Sequence, residues 1–116
     1  MLSYPKHYKL IPAVCPMSYR VVLEVREVRG FCPIYKKGDK IVLNGFYIDV
    51  ANSENICIHM LSAFLTILSA FAHGSSAVDL GIGSVEDVGY LQCPDPGPPY
   101  TRGGTVVFEL RREIIK

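Results

Sequence analysis

Two hexapeptides at opposite ends of the chain, VVLEVR at residues 21–26 and VVFELR at residues 106–111, match position by position. In each, an apolar row (Val21, Leu23 and Val25; Val106, Phe108 and Leu110) alternates with a row that carries one Glu and one Arg. A period of two with one dry and one wet face is the mark of a strand with a core on one side. The two are expected to pair antiparallel with Glu24 opposite Arg111, which sets Arg26 opposite Glu109. Two opposite-charge pairs would then help fix the register, at about 0.2–1 kcal/mol each.

The stretch between them is densely punctuated. Lys37-Gly38-Asp39 has turn chemistry, residues 40–43 read as a strand, and Asn44-Gly45 is a hairpin dipeptide that returns the chain along residues 46–50. Asn52, Ser53 or Asn55 is expected to cap a helix, with Glu54 near its positive end. The helix runs from Ile56 to about His73, where Gly74 stops it. Residues 75–104 are rich in Gly, Ser and Pro; a short element near 84–88 and a strand near 89–93 are expected to interrupt them. Pro5, Pro12 and Pro16 break any periodicity in residues 1–18, which read as an irregular N-terminal arm, and residues 19–116 as a single domain. The fold class is α+β: a mostly antiparallel sheet of four to five strands packed against one long apolar helix.

Composition narrows the class further. The chain has 116 residues, enough for a self-sufficient core, and 49% of them are hydrophobic, which argues against disorder. Its net charge of +1 lacks the basic excess of a nucleic-acid binder; the one dense cluster, Lys36, Lys37 and Lys40, is diluted by Asp39. Pro12 interrupts the only apolar stretch near the N-terminus, so no secretion signal is expected. The uncharged run 56–72 is short for a membrane span and contains His59, Ser62, Thr66 and Ser69. A cytoplasmic location, with thiols kept reduced, is the expectation.

On the helix, His59, Ser62, Thr66, Ser69 and His73 recur in steps of three and four and so share one stripe. A stripe facing water normally carries Lys and Glu; this one carries hydroxyls and imidazoles only. It reads either as a helix embedded between the sheet and the N-terminal arm, or as a contact surface with a second copy of the chain, a dimer being favoured. A third reading has the helix lining a ligand cleft.

Three of the four cysteines precede proline (Cys15, Cys32 and Cys93), and the fourth, Cys57, falls in the first helical turn. A thiol at a helix N-terminus feels the positive end of the dipole, and a cysteine before proline sits in extended or turn geometry. Cys32, Cys57, Cys93 and Asp95 therefore form a candidate thiol site. No C-x-x-C knuckle supports a metal, and none is assigned. On a helix, Cys57 and His59 would point about 160–200° apart and so would not easily share one. The plain alternative is that the cysteines are small buried hydrophobes. Asp95, within Cys-Pro-Asp-Pro-Gly, also reads as a turn former. Gly81-Ile82-Gly83 lacks the third glycine of a dinucleotide loop, and Asp79, Glu86 and Asp87 fit no catalytic template.

The segments GFCPIYKKGDKIVL, ICIHMLSAF and CPDP with TVVFELRR together resemble a family of short uncharacterised prokaryotic proteins, an uncharacterised repeat family. The resemblance covers about residues 20–113. It implies family-typical positions for Cys32, Cys57 and Cys93, leaves Cys15 outside the pattern, and carries no activity. The arm and the GPPYTRGG segment at 97–104 look peculiar to this chain.

No acid–base constellation stands out, and no cofactor or small-molecule ligand is indicated. The leading expectation is a small cytosolic binding or interaction module that self-associates, non-catalytic rather than an enzyme. The alternative is a thiol-dependent redox or metal-binding protein using Cys32, Cys57 and Cys93.

Overall fold

A computed structural model describes residues 18–115. The arm expected at the N-terminus, and Cys15 with it, lies outside the described residues but for Ser18. Five strands, β1 (Tyr19–Gly30), β2 (Lys40–Asn44), β3 (Tyr47–Ile48), β4 (Val88–Gln92) and β5 (Gly104–Ile114), form one antiparallel sheet in the order β3-β2-β1-β5-β4. One helix of 15 residues, α1 (Ile58–Ala72), lies in sequence between β3 and β4. The protein is thus α+β, and among the described residues no helix is long and apolar enough to cross a membrane.

The look-alike strands are central neighbours. Val21, Leu23 and Val25 on β1 and Val106, Phe108 and Leu110 on β5 are buried in one core, against Met60, Phe64, Leu68, Phe71 and Ala72 of α1. Phe108 sits at its middle, meeting the rings of Phe64 and Tyr35 edge-on with centroids 5.4 Å away in both cases.

Their register differs from the expected one by two residues. Glu24 stands opposite Glu109, Arg111 opposite Val22, and Arg26 is the extra residue of a β-bulge between Val25 and Glu27. A shift of two keeps every side chain on its face, so the core does not distinguish the two registers by pattern alone. What selects the observed one is tertiary fit. It places Leu23 opposite Leu110 and Val25 opposite Phe108. It also brings Gly30 and Gly104 together where a Cβ on Gly104 would overlap the Arg29 carbonyl oxygen. The opposite charges still meet, but diagonally: Arg111 to Glu24 at 3.2 Å and Arg26 to Glu109 at 2.7 Å.

Two boundaries also move. The returning strand is only Tyr47–Ile48, because Asp49 starts a 3-10 turn over Val50–Asn52 and accepts a hydrogen bond from the Asn52 amide at 2.8 Å. Ser53 does not cap α1. Its hydroxyl accepts the Val42 N–H (2.8 Å) and donates to the Asp49 carbonyl (2.7 Å), closing the far edge of β2. Neither Asn52 nor Asn55 takes the role; the N-cap is Cys57, with no side-chain cap bond, and no acidic residue lies in the first turn. At the other end the expectation holds: His73 is the C-cap, and Gly74 follows at φ 116°, the left-handed region that favours glycine. The chain after Gly74 turns through residues 75–87 before β4, with Val85 bridged to Val88.

Candidate functional site

Three elements stop at one end of the core, each at a cysteine. β1 runs out through Gly30 into Cys32-Pro33, β4 runs out at Gln92 into Cys93-Pro94, and α1 begins after Cys57. Proline after each strand-end cysteine forbids helix there and releases the chain in an extended direction. The outcome is a cleft of about 790 Å³ lined by Cys32, Cys57 and Cys93 together, with Phe31, Ile34, Ile56 and Ile58 as apolar wall and His59 and Asp95 as its polar members. All three cysteines are free and half-buried.

Each thiol is held differently. The Cys32 sulfur accepts the backbone N–H groups of Ile34 (3.4 Å) and Tyr35 (3.3 Å), closing a tight turn over Cys-Pro-Ile-Tyr. The Cys57 N–H donates to the Tyr35 hydroxyl at 2.8 Å, so one buried tyrosine braces both cysteines, one by its backbone and one by its ring. Burial pushes the Tyr35 phenol above its ordinary pKa, outweighing the hydrogen bond from the Cys57 N–H, which acts to lower it. The Cys93 N–H donates to the Val106 carbonyl (2.9 Å) and continues the β4–β5 ladder one step past the strand.

Asp95 organises the loop that closes the cleft. Its Oδ1 accepts the Thr101 hydroxyl and the Gly97 N–H (2.8 Å), while its backbone carbonyl accepts the Thr105 hydroxyl. The Thr101 hydroxyl first, and then the Gly97 N–H, hold its carboxyl below the usual carboxylate range, with a smaller contribution from His59 through space. Gly103 packs so closely that a Cβ there would overlap Asp95 Oδ2. Asp95 is therefore both the turn former and a member of the cleft wall.

Cys57 and His59, expected to point apart, both line the cleft. The 100° per residue of a helix does not apply to Cys57, which as N-cap has extended backbone (φ −70°, ψ 127°). Even so, among the described residues no three His, Cys, Asp or Glu side chains come together as a set that could hold a metal ion. The thiols share a space without forming a ligand cage.

The stripe on α1 faces outward along its whole length: His59, Ser62, Thr66, Ser69 and His73 are all exposed. Its two ends serve different surroundings. His59 belongs to the cysteine cleft, whereas Ser69 and His73 line a second groove with Phe46, Tyr47, Leu61 and Leu65, and the His73 ring lies 4.7 Å from that of Phe46. Between them the Ser62 hydroxyl donates back to the His59 carbonyl at 3.3 Å. Tyr35 and the wall residues Phe31, Ile34, Ile56 and Ile58 were not legible as site residues. The only available hint was an aromatic two residues after Cys32-Pro33.

Among the described residues, fold and site together define an α+β protein with a one-layer sheet, one α-helix and an apolar cleft that three free thiols share. Comparison with protein-family models, with curated proteins and with solved structures finds no match to this chain.

Proposed function

We propose that the chain is a small cytosolic binding module whose ligand site is the cleft lined by Cys32, Cys57 and Cys93. The observation that carries the reading is that these cysteines, distant in sequence, line one half-open apolar space. A volume of about 790 Å³ falls within the range of small-molecule sites, and mostly apolar walls with a few polar groups are the usual composition of such sites. The same three positions are those implied by the resemblance to short prokaryotic proteins. Reduced thiols in the cytosol would keep the cleft open and unbridged.

The test uses the neutral dye Nile red and iodoacetamide. Dye fluorescence is expected to rise on mixing with the protein, and saturating dye to slow alkylation of Cys32, Cys57 and Cys93 several-fold, read by peptide mass mapping. Dye that binds without shielding any of the three, or that does not bind, removes the reading.

A second reading, self-association, rests on the outer face of α1. Residues 56–72 contain no Lys, Arg, Asp or Glu, and Leu65 and Ile58 are 54% and 74% exposed. An uncharged face with exposed apolar side chains is self-complementary in a two-fold dimer. A thiol-dependent activity in the same cleft is the alternative, supported by the shared position of the cysteines.

A further inference from the structure

The chemistry of the cleft narrows what it can take. Its walls, Phe31, Ile34, Ile56 and Ile58, favour burial of apolar area at roughly 25 cal/mol per Å². Among the described residues that line it, none is Lys or Arg, and its one carboxylate, Asp95, already accepts the Gly97 N–H and the Thr101 hydroxyl. A charged ligand therefore finds little to pair with, and an uncharged one loses nothing. Of the three thiols, Cys32 is fixed in place by two backbone N–H groups. Cys32 also lines the adjoining hollow beside Arg26, Lys36 and Lys37, so it is the one of the three cysteines common to both spaces. A soft nucleophile at the edge of a mostly apolar cleft without Lys or Arg in its lining is matched by a soft, uncharged electrophile.

We infer that the cleft takes neutral, apolar α,β-unsaturated carbonyl compounds and that Cys32 adds to them; this rests on the cleft being a ligand site. In the addition the sulfur lone pair forms a C–S bond to the β-carbon as the C=C π bond breaks and its electrons pass to the α-carbon. That carbon takes up a proton from water or His59, which replaces the proton lost from the thiol. Nothing is oxidised or reduced, and no group leaves.

The experiment uses the full chain with Cys15→Ser. N-Cyclohexylmaleimide and a sulfonated, hydrophilic maleimide are compared, each rate divided by its rate with free glutathione, and N-cyclohexylsuccinimide serves as the unreactive twin. Cys32 is expected to be modified first, with the apolar reagent favoured roughly tenfold, the gain from burying about 1.4 kcal/mol worth of hydrocarbon. The twin should slow the reaction, and Ile58→Glu, at an exposed wall position, should abolish the preference. If the twin protects but the normalised rates are equal, or another cysteine reacts first, the cleft survives as a ligand site and the electrophile inference falls. If there is neither preference nor protection, both fall. The urea-unfolded chain supplies the fold-independent baseline for each cysteine.

Discussion

On the open face of the sheet, Glu109 is a carboxylate among donors. Arg26 Nη2 reaches it at 2.7 Å, Arg111 donates to the same oxygen, and the Tyr90 hydroxyl donates to the other at 3.1 Å. Glu24, directly across, carries the same charge, and the two arginines bridge the pair: Arg26 lies 3.2 Å from Glu24 and Arg111 also 3.2 Å. The Arg26 hydrogen bond, then those of Arg111 and Tyr90, outweigh desolvation and bring the Glu109 carboxyl from 4.5 down to about 2. A folded-state value below the unfolded one gives stabilisation that is complete above about pH 4.5 and is lost as the pH falls towards 2. Allowing for the partly exposed arginines, the contribution is about 2 kcal/mol. Urea unfolding of the wild type is expected to weaken over that window more than that of Glu109→Gln. Parallel curves for the two would show that the network contributes nothing.

Elements were easier to read than their junctions. The alternation in residues 21–26 and 106–111 is local, so both strands and their buried rows were legible; the two-residue register offset was not, because it preserves that alternation. The bulge at Arg26 re-phases β1 so that Val28, rather than Glu27, packs towards the core. Helix α1 was legible from its periodicity and Gly74, but its start was not. Ser53 has the right chemistry for a cap and is drawn instead to the Val42 N–H, leaving the start to Cys57. The β1–β5 register is locked at its far end by Gly104, where an added Cβ would overlap the Arg29 carbonyl oxygen and lie 2.6 Å from the Phe31 nitrogen. Gly104→Ala is expected to cost about 2–3 kcal/mol through overpacking, measured as a lowered urea midpoint. An unchanged midpoint would mean that the strands separate there without cost.

At the scale of the whole molecule, one side chain ties the helix to the sheet. Arg112 of β5, 1% exposed at its side chain, lies between the rings of Tyr19 and Phe71, with its guanidinium carbon 4.6 and 4.4 Å from their centroids. It donates to the Phe71 carbonyl at 2.7 Å, to the Ser75 carbonyl at 2.5 Å and to Asp87 at 2.9 Å, so it closes the C-terminal end of α1 and anchors the following loop. With that end fixed, the outer face of α1 is presented as a rigid surface flanked by Phe46, which is 80% exposed. Light scattering is expected to give twice the 12.9 kDa of one chain, and Leu65→Lys to return the mass to one chain without lowering the thermal midpoint. A wild type that stays monomeric at about 100 μM, a concentration at which even a weak interface of about 5–6 kcal/mol is populated, would remove the dimer. From the sequence came the strands, the helix and the rows each would bury, since periods of two and of 3.6 are written into neighbouring residues. The choice of register, the capping by Cys57, the division of the α1 stripe between two hollows and the gathering of Cys32, Cys57 and Cys93 around one cleft came only with the tertiary structure. Each depends on contacts between segments far apart in the chain, and side-chain periodicity within one segment contains no term for the distance to another.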